Sequence, residues 1–169
     1  NMTASTSALQ QKNAKHLIQS FSDLSYMNNP EETHIISRAD GVYIYDNDGK
    51  KILDSMSGLW CVNMGYGQQS IIKAVNEQMK ELVYYNNFFG SSHPAAIKLS
   101  EMIADKTPDG MNKVYFCGSG SEANDTVVRL SRHYWAAKGK PSKSVIISRK
   151  NAYHGSTMAG ASLGGMSAM

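Results

Sequence analysis

Four consecutive apolar or aromatic residues, Val114, Tyr115, Phe116 and Cys117, mark a short buried strand. Small residues follow at once in Gly118-Ser119-Gly120-Ser121. From Glu122 to Ala137 the apolar members Val127, Val128, Leu130, Tyr134 and Trp135 predict a helix. Lys138-Gly139-Lys140-Pro141 stops that helix, and Ser144-Val145-Ile146-Ile147-Ser148 is a second apolar strand. Strand, helix and strand with short links predict a βαβ unit, and so a parallel sheet with a right-handed crossover.

Upstream the pattern is different. Thr3 to Gln19 reads as a weakly amphipathic terminal helix. Phe21 and Tyr26 follow in a polar, loop-like stretch ending at Asn29-Pro30. Gly41-Val42-Tyr43-Ile44-Tyr45-Asp46 alternates at period two, Asn47-Asp48-Gly49 turns the chain, and Lys51-Ile52-Leu53-Asp54 completes a hairpin. Ser57 to Gly67 sets glycines between large apolar residues, Trp60 among them. Gln69 to Leu82 is helical, with Ile71, Ile72, Val75 and Met79 on one face. The aromatic run Tyr84, Tyr85, Phe88 and Phe89 lies among asparagines and ends at glycine and proline, which does not fit a helix interior. It reads as a subunit or ligand surface, or as a satellite cluster under a loop. Pro94 opens a further helix at its first turn, and Thr107-Pro108-Asp109-Gly110 ends it.

Composition narrows the class. A chain of 169 residues suits one domain with a core large enough to fold, and 41% hydrophobic with 18% charged residues is an ordinary globular balance. The net charge of +3 comes from scattered Lys and Arg, so no nucleic-acid patch is expected. Cys61 and Cys117 give neither a disulfide framework nor a metal spacing, which fits a reducing cytoplasm. No apolar run approaches the roughly 20 residues that span a bilayer, and no signal peptide opens the chain. Asn1 ahead of Met2 reads as a residue left by tag removal. Leu163 to Met169 closes no element, so the chain reads as the first part of a longer one.

The Gly118–Ser121 turn carries the candidate chemistry. A strand passing through small residues into a helix start leaves backbone N–H groups at the positive end of the helix dipole, which suits a phosphate or another anion. The other reading is a helix cap that binds nothing. The turn lacks the Gly-Lys-Ser/Thr ending of a nucleotide P-loop and is not the three-glycine dinucleotide fingerprint. Ligands of parallel sheets bind beyond the carboxyl ends of the strands, which puts Gly118–Ser121 and Tyr153-His154 on the same side. An aromatic ring bearing a phosphate would meet these groups, with Tyr153 stacking on the ring and Trp60 and Phe88 walling a dry pocket; pyridoxal 5'-phosphate fits. His154 reads as an acid or base, or as a hydrogen-bonded structural residue, and a lone strand-end histidine favours the second. Trp60 is a core residue or a cavity wall, and Phe21 an anchor of the terminal arm or a pocket wall.

Leu59-Trp60-Cys61-Val62-Asn63, Gly118 to Asp125 and Tyr153-His154-Gly155-Ser156-Thr157 resemble the amino-terminal part of the class III pyridoxal-phosphate aminotransferases, within them the omega-transaminases. The likeness runs from about Phe21 to the last residue. It implies an α/β parallel-sheet three-layer fold of the aspartate-aminotransferase type (fold type I), with an N-terminal segment belonging to a smaller α+β domain. Residues 1–58 would be the arm and hairpin of that domain, and 59–169 the first part of the large cofactor-binding domain. Ser119, Gly120 and Ser121 would form the phosphate cup, Tyr153 the stacking residue with His154 beside it. Leu59 and Trp60 would line the substrate pocket, Phe21 its mouth, and Phe88, or else Phe89, would reach into a neighbouring subunit's site in a homodimer or dimer of dimers.

The resemblance also implies ping-pong transfer of an amino group from an amine or omega-amino acid to pyruvate or a similar keto acid. The Schiff-base lysine and the acid that pairs with the pyridine nitrogen are expected beyond Met169. Lys138, Lys140, Lys143 and Lys150 occupy no matching position, so no catalytic residue is expected within these residues. An aminomutase, racemase or decarboxylase of the same fold, or a non-catalytic α/β binding or dimerisation piece, are the rival readings.

Overall fold

A computed structural model describes residues 4–167. Asn1, Met2 and Thr3, with the expected natural start and the first residue of the expected terminal helix, lie outside the described residues, as do Ala168, Met169 and the side chain of Tyr26. The chain divides into two compact units, Asn1–Asn86 and Asn87–Met169, where length alone suits one.

In the first unit, helix α1 spans Thr6–His16. Ser5 caps it, its hydroxyl oxygen accepting from the Ala8 amide, while Lys15 and His16 sit favourably at the negative end. Two short 3-10 turns follow, Leu24–Asn28 and Pro30–Glu32. Gln10 ties α1 to the second, donating through Nε2 to the carbonyls of Glu31 and Thr33.

The expected hairpin forms as β2 (Tyr43–Asp46) and β3 (Lys51–Leu53), antiparallel. A further strand, β1 (Ile36–Asp40), pairs with β2, giving a meander in the order β1-β2-β3. Its sequence, Ile-Ser-Arg-Ala-Asp, alternates too weakly to announce a strand. The turn depends on Asp46, whose Oδ1 accepts from the amides of Asp48 and Lys50, and on Gly49 at φ +87°. Helix α2 spans Gln69–Glu81, as its period predicts.

The second unit opens with helix α3, Pro94–Ala104. Pro94 occupies the first turn, where no amide donor is needed, and His93 Nδ1 accepts from the Ala96 amide. Helix α4 runs Gly120–Ala137, two residues ahead of its expected start. It ends where Gly139 takes φ +70° and the Gly139 and Lys140 amides donate back to the Ala136 and Trp135 carbonyls. A short helix, α5, covers Met158–Leu163.

Two expectations need correction. The segments 114–117 and 144–148 form no strand ladder among the described residues. A continuous apolar run encodes burial on both faces but not the identity of the strand beside it, and neither segment supplies that neighbour for the other. The second correction concerns the core. Among the described residues the one buried apolar side chain is Ala14, whereas Val145 and Ile147 are 84% and 91% exposed. The apolar face of α2, with Ile71, Ile72, Val75 and Met79, is exposed as well. Ample apolar composition has not produced a closed interior, because burial requires a facing layer and these residues do not supply one.

The attachment of α1 to the hairpin is polar and specific. Asn47 Nδ2 donates to the Ala4 carbonyl at 3.3 Å and to Thr6 Oγ1 at 3.0 Å, and Thr6 Oγ1 donates to Asp48 Oδ1 at 2.6 Å. Asn47→Ala is therefore expected to loosen α1 by about 1–2 kcal/mol, the usual worth of one or two such bonds. Hydrogen exchange of the α1 amides should accelerate roughly tenfold while the strand amides stay protected; uniform rates would refute the attachment.

Candidate functional site

The start of α4 is built by its own side chains. Ser119 is the N-cap, its Oγ accepting from the Glu122 amide at 3.2 Å. Glu122 reaches back, its Oε2 accepting from the Gly118 amide at 2.6 Å. Serine followed three residues later by glutamate is a reciprocal cap, here displaced by one residue on the glutamate side. The amide of Gly118 is thereby spent. Among the described residues no acceptor meets the amides of Gly120 and Ser121, and the space over Gly120 is open. An anion at this helix end would address residues 119–121 rather than Gly118.

The loop bearing Tyr153 and His154 is fastened to that same first turn. Ser121 Oγ accepts from the Ser156 amide at 3.1 Å, and Asn124 Nδ2 donates to the His154 carbonyl at 2.7 Å. Asp125 Oδ1 accepts from Thr157 Oγ1 at 2.6 Å and from the Gly160 amide at 3.1 Å. Residues on one face of α4, at positions 121, 124 and 125, thus pin the chain from 154 to 160. Gly155 makes the contact possible. It has φ +118°, and a Cβ there would stand 2.5 Å from Ser121 Oγ and 2.8 Å from Ser121 Cα. Gly160 is equally tight, since a Cβ would lie 2.8 Å from the His154 carbonyl oxygen.

Ser119, Gly120 and Ser121, the expected phosphate cup, are therefore brought together with the loop that carries Tyr153 and His154. Tyr153 is half exposed. Phe88 and Phe89 also belong to the second unit, with ring centroids 6.1 Å apart at 42° and Phe89 fully exposed. Phe21, Leu59 and Trp60 belong to the first unit and are all exposed. Phe21 takes φ +55°.

Leu59 and Trp60 sit in an unusual turn. Ser57, Gly58, Leu59 and Trp60 all have positive φ, at 49°, 58°, 69° and 65°. The Cys61 amide donates to the Ser57 carbonyl at 2.9 Å, closing one left-handed helical turn. That conformation costs about 1–2 kcal/mol for each residue that is not glycine. The Asp54 carboxylate opposes this cost. Its Oδ2 accepts from the Gly58 amide at 2.8 Å and from Tyr66 Oη at 2.7 Å, and its Oδ1 from the Met56 amide at 3.3 Å. Tyr66 is anchored in turn, exchanging backbone hydrogen bonds with Gly41.

Sequence reasoning gave no role to Asp54, Tyr66, Asn124, Asp125, Gly155 or Thr157. Their signal was present only as membership of the quoted motifs, or, for Asp54, as the end of a strand, or, for Tyr66, as one residue of the glycine-spaced stretch from Ser57 to Gly67.

Electrostatics follow from these bonds. The Tyr66 hydroxyl, ahead of the backbone amides, holds the Asp54 carboxyl below its ordinary value of 3.8. The same bond is the main cause that raises the Tyr66 phenol above its ordinary 10.0. A depressed acid stabilises the fold above its unfolded pKa and loses that contribution as pH falls through its folded value. A raised phenol contributes below its unfolded pKa and loses that as pH rises through its folded value. The emission of Trp60 in a Trp135→Phe background should therefore be constant near neutrality and change below pH 3.8 and above pH 10.0. An Asp54→Ala chain should lack the acid transition. For the second unit, Gly155→Ala is expected to cost about 3 kcal/mol through overpacking on Ser121 and backbone strain, measured by urea unfolding.

Comparison with known proteins gives this geometry its context. The aminotransferase class-III family profile matches residues 26–169. The chain is 53% identical over 166 residues to a putrescine–pyruvate aminotransferase of Pseudomonas aeruginosa, covering 98% of this chain and 36% of that protein. A transaminase structure from the marine bacterium Virgibacillus superposes with a TM-score of 0.89 at 41% identity, over 94% of this chain and 36% of that one. An (S)-enantioselective omega-transaminase from Thermomicrobium roseum gives a TM-score of 0.92 at 34% identity, over 98% of this chain and 37% of that one. The chain thus spans little more than a third of the length of these relatives. It shares the α/β fold type I of these pyridoxal-phosphate enzymes, and it belongs to the class-III aminotransferase family.

Proposed function

We propose that these residues form the phosphate-binding and part of the substrate-binding region of an aminotransferase. That enzyme would move an amino group from an amine or omega-amino acid to pyruvate or a similar keto acid. The observation that carries this reading is the fastening of the Tyr153–Thr157 loop to the open first turn of α4. It joins an open helix end and an aromatic face in one fastened element, which suits a phosphorylated pyridine coenzyme.

The residues present fit pyridoxal 5'-phosphate at that end. The amides of Gly120 and Ser121 point to no protein acceptor among the described residues. The oxygens of Ser119 and Ser121 already accept from backbone amides, so each hydroxyl hydrogen is left to donate to an anion. Tyr153 would present its ring to the pyridine face, and His154, whose carbonyl is held by Asn124, would fix the loop. When bound, the coenzyme supplies the carbonyl that takes up the amino group and the ring that delocalises the electron pair. The lysine that anchors it and the acid facing its ring nitrogen would come from outside these residues.

Leu59 and Trp60 would line the amine pocket, with Phe21 at its mouth, and Phe88 or Phe89 would serve a neighbouring subunit's site in a homodimer or dimer of dimers. Residues 1–58 are assigned to the smaller domain and 59–169 to the cofactor domain. Residues 114–117 and 144–148 would become strands once sheet neighbours flank them. Both cysteines are free and exposed, which suits a reducing cytoplasm. No described helix is long and apolar enough to cross a membrane.

The full-length enzyme with pyruvate should form alanine from at least one amine or omega-amino acid. No alanine from any donor, with racemisation, decarboxylation or amino-group migration instead, would overturn transamination in favour of another enzyme of the fold. Ser119→Ala and Ser121→Ala should each weaken coenzyme retention about five- to tenfold, read from the pyridoxal absorbance after dialysis, since each removes one charge-assisted bond.

A further inference from the structure

The strained turn at 57–60 has an evident purpose only if the two side chains at its end must point where an ordinary turn would not send them. Ser57, Leu59 and Trp60 all adopt positive φ, and Gly58 shares it. Leu59 and Trp60 are 68% and 80% exposed, so burial of their own side chains does not hold the turn. What holds it is polar and lies behind it. Asp54 Oδ2 receives the Gly58 amide and the Tyr66 hydroxyl together, and Oδ1 receives the Met56 amide. Asp54 is itself fixed, its amide donating to the Val42 carbonyl at the end of the meander. The packing is also too close for a side chain at residue 58, where a Cβ would lie 2.9 Å from Val62 Cγ2 and 3.0 Å from Tyr66 Oη.

We propose that Asp54 and Tyr66 are positioning residues for amine specificity, acting through the left-handed turn that presents Leu59 and Trp60. This rests on the reading of Leu59 and Trp60 as pocket-lining residues. Neither Asp54 nor Tyr66 need touch substrate. A carboxylate with three donors on it fixes where the indole stands, and a looser turn lets the indole swing aside. Discrimination between a bulky aromatic amine and a short linear diamine then falls, because the wall that separates them is no longer fixed. The coenzyme's phosphate contacts belong to other residues and should not change.

The test uses the full-length holoenzyme with Asp54→Ala, Asp54→Asn and Tyr66→Phe. Asparagine keeps an oxygen for Gly58 and Tyr66 but turns an N–H group toward the Met56 amide, so its effect should fall between those of the wild type and alanine. Two readouts are taken. Acrylamide quenching of Trp60, taken as the difference between each chain and the same chain carrying Trp60→Phe, should rise in the order wild type, asparagine, alanine. The ratio of kcat/KM for the bulky over the linear amine should move roughly tenfold in Asp54→Ala and about threefold in Tyr66→Phe, with coenzyme retention unchanged. Should Asp54→Ala fail to fold, Tyr66→Phe carries the same comparison, because it removes one hydroxyl and leaves the backbone bonds to Asp54. Quenching that does not differ from wild type overturns the positioning role, whatever the kinetics. Altered quenching with an unchanged ratio overturns the specificity role. A wild type that transaminates no amine overturns the functional reading itself, and the quenching arm still decides the turn.

Discussion

The second unit depends on one close approach, the backbone of Gly155 against Ser121. Only hydrogen occupies the space where a Cβ would meet Ser121 Oγ at 2.5 Å. Because the loop can come this near, the Ser156 amide reaches Ser121 Oγ, the His154 carbonyl reaches Asn124, and Thr157 with Gly160 reaches Asp125. Each bond is worth roughly 1 kcal/mol, more where the carboxylate accepts. Together they make the first turn of α4 and the following loop one piece. A coenzyme gripped at two points is oriented only if those points do not move relative to each other.

The reciprocal cap at the head of α4 divides labour among neighbouring groups. Glu122 takes the amide of Gly118 and Ser119 takes the amide of Glu122. The helix end is closed where it needs closing and left open over Gly120 and Ser121. A negative side chain this near the proposed anion site looks unfavourable by Coulomb's law alone. Its charge, however, is already committed to an amide outside the helix, and the two remaining N–H groups with the serine hydroxyls supply the local positive field. The first unit solves a related problem with Asp54, which collects donors from a strained turn and so converts conformational cost into a fixed direction for two side chains.

Both units leave large apolar surfaces uncovered. Val145, Ile147 and the α2 face are examples, and they stand beside relatives nearly three times as long. Among these residues taken by themselves, hydrophobic burial therefore contributes little, and capping, turn chemistry and side-chain-to-backbone bonds do more. Such bonds are short in range and depend on exact geometry, which is why single glycines and single carboxylates carry so much of the local order.

Local signals in the chain were enough to place helices at 69–81 and 94–104 and, with bounds expected at 3–19 and 122–137, those observed at 6–16 and 120–137, because amphipathic period, Pro94 and the small-residue cap act within a few residues. The Asp48-Gly49 hairpin was legible for the same reason. The motif around Ser119–Ser121 and Tyr153-His154 was legible as a resemblance and as a strand-end rule. What the amino-acid order could not supply was partnership across distance. It did not show that β1 would join the meander, or that 114–117 and 144–148 would find no ladder in each other. Nor did it show that Asn124 and Asp125 would face the loop thirty residues on, or that Asp54 would hold the turn of Trp60. Periodicity records whether a side chain is to be covered; only the three-dimensional arrangement decides what stands opposite it.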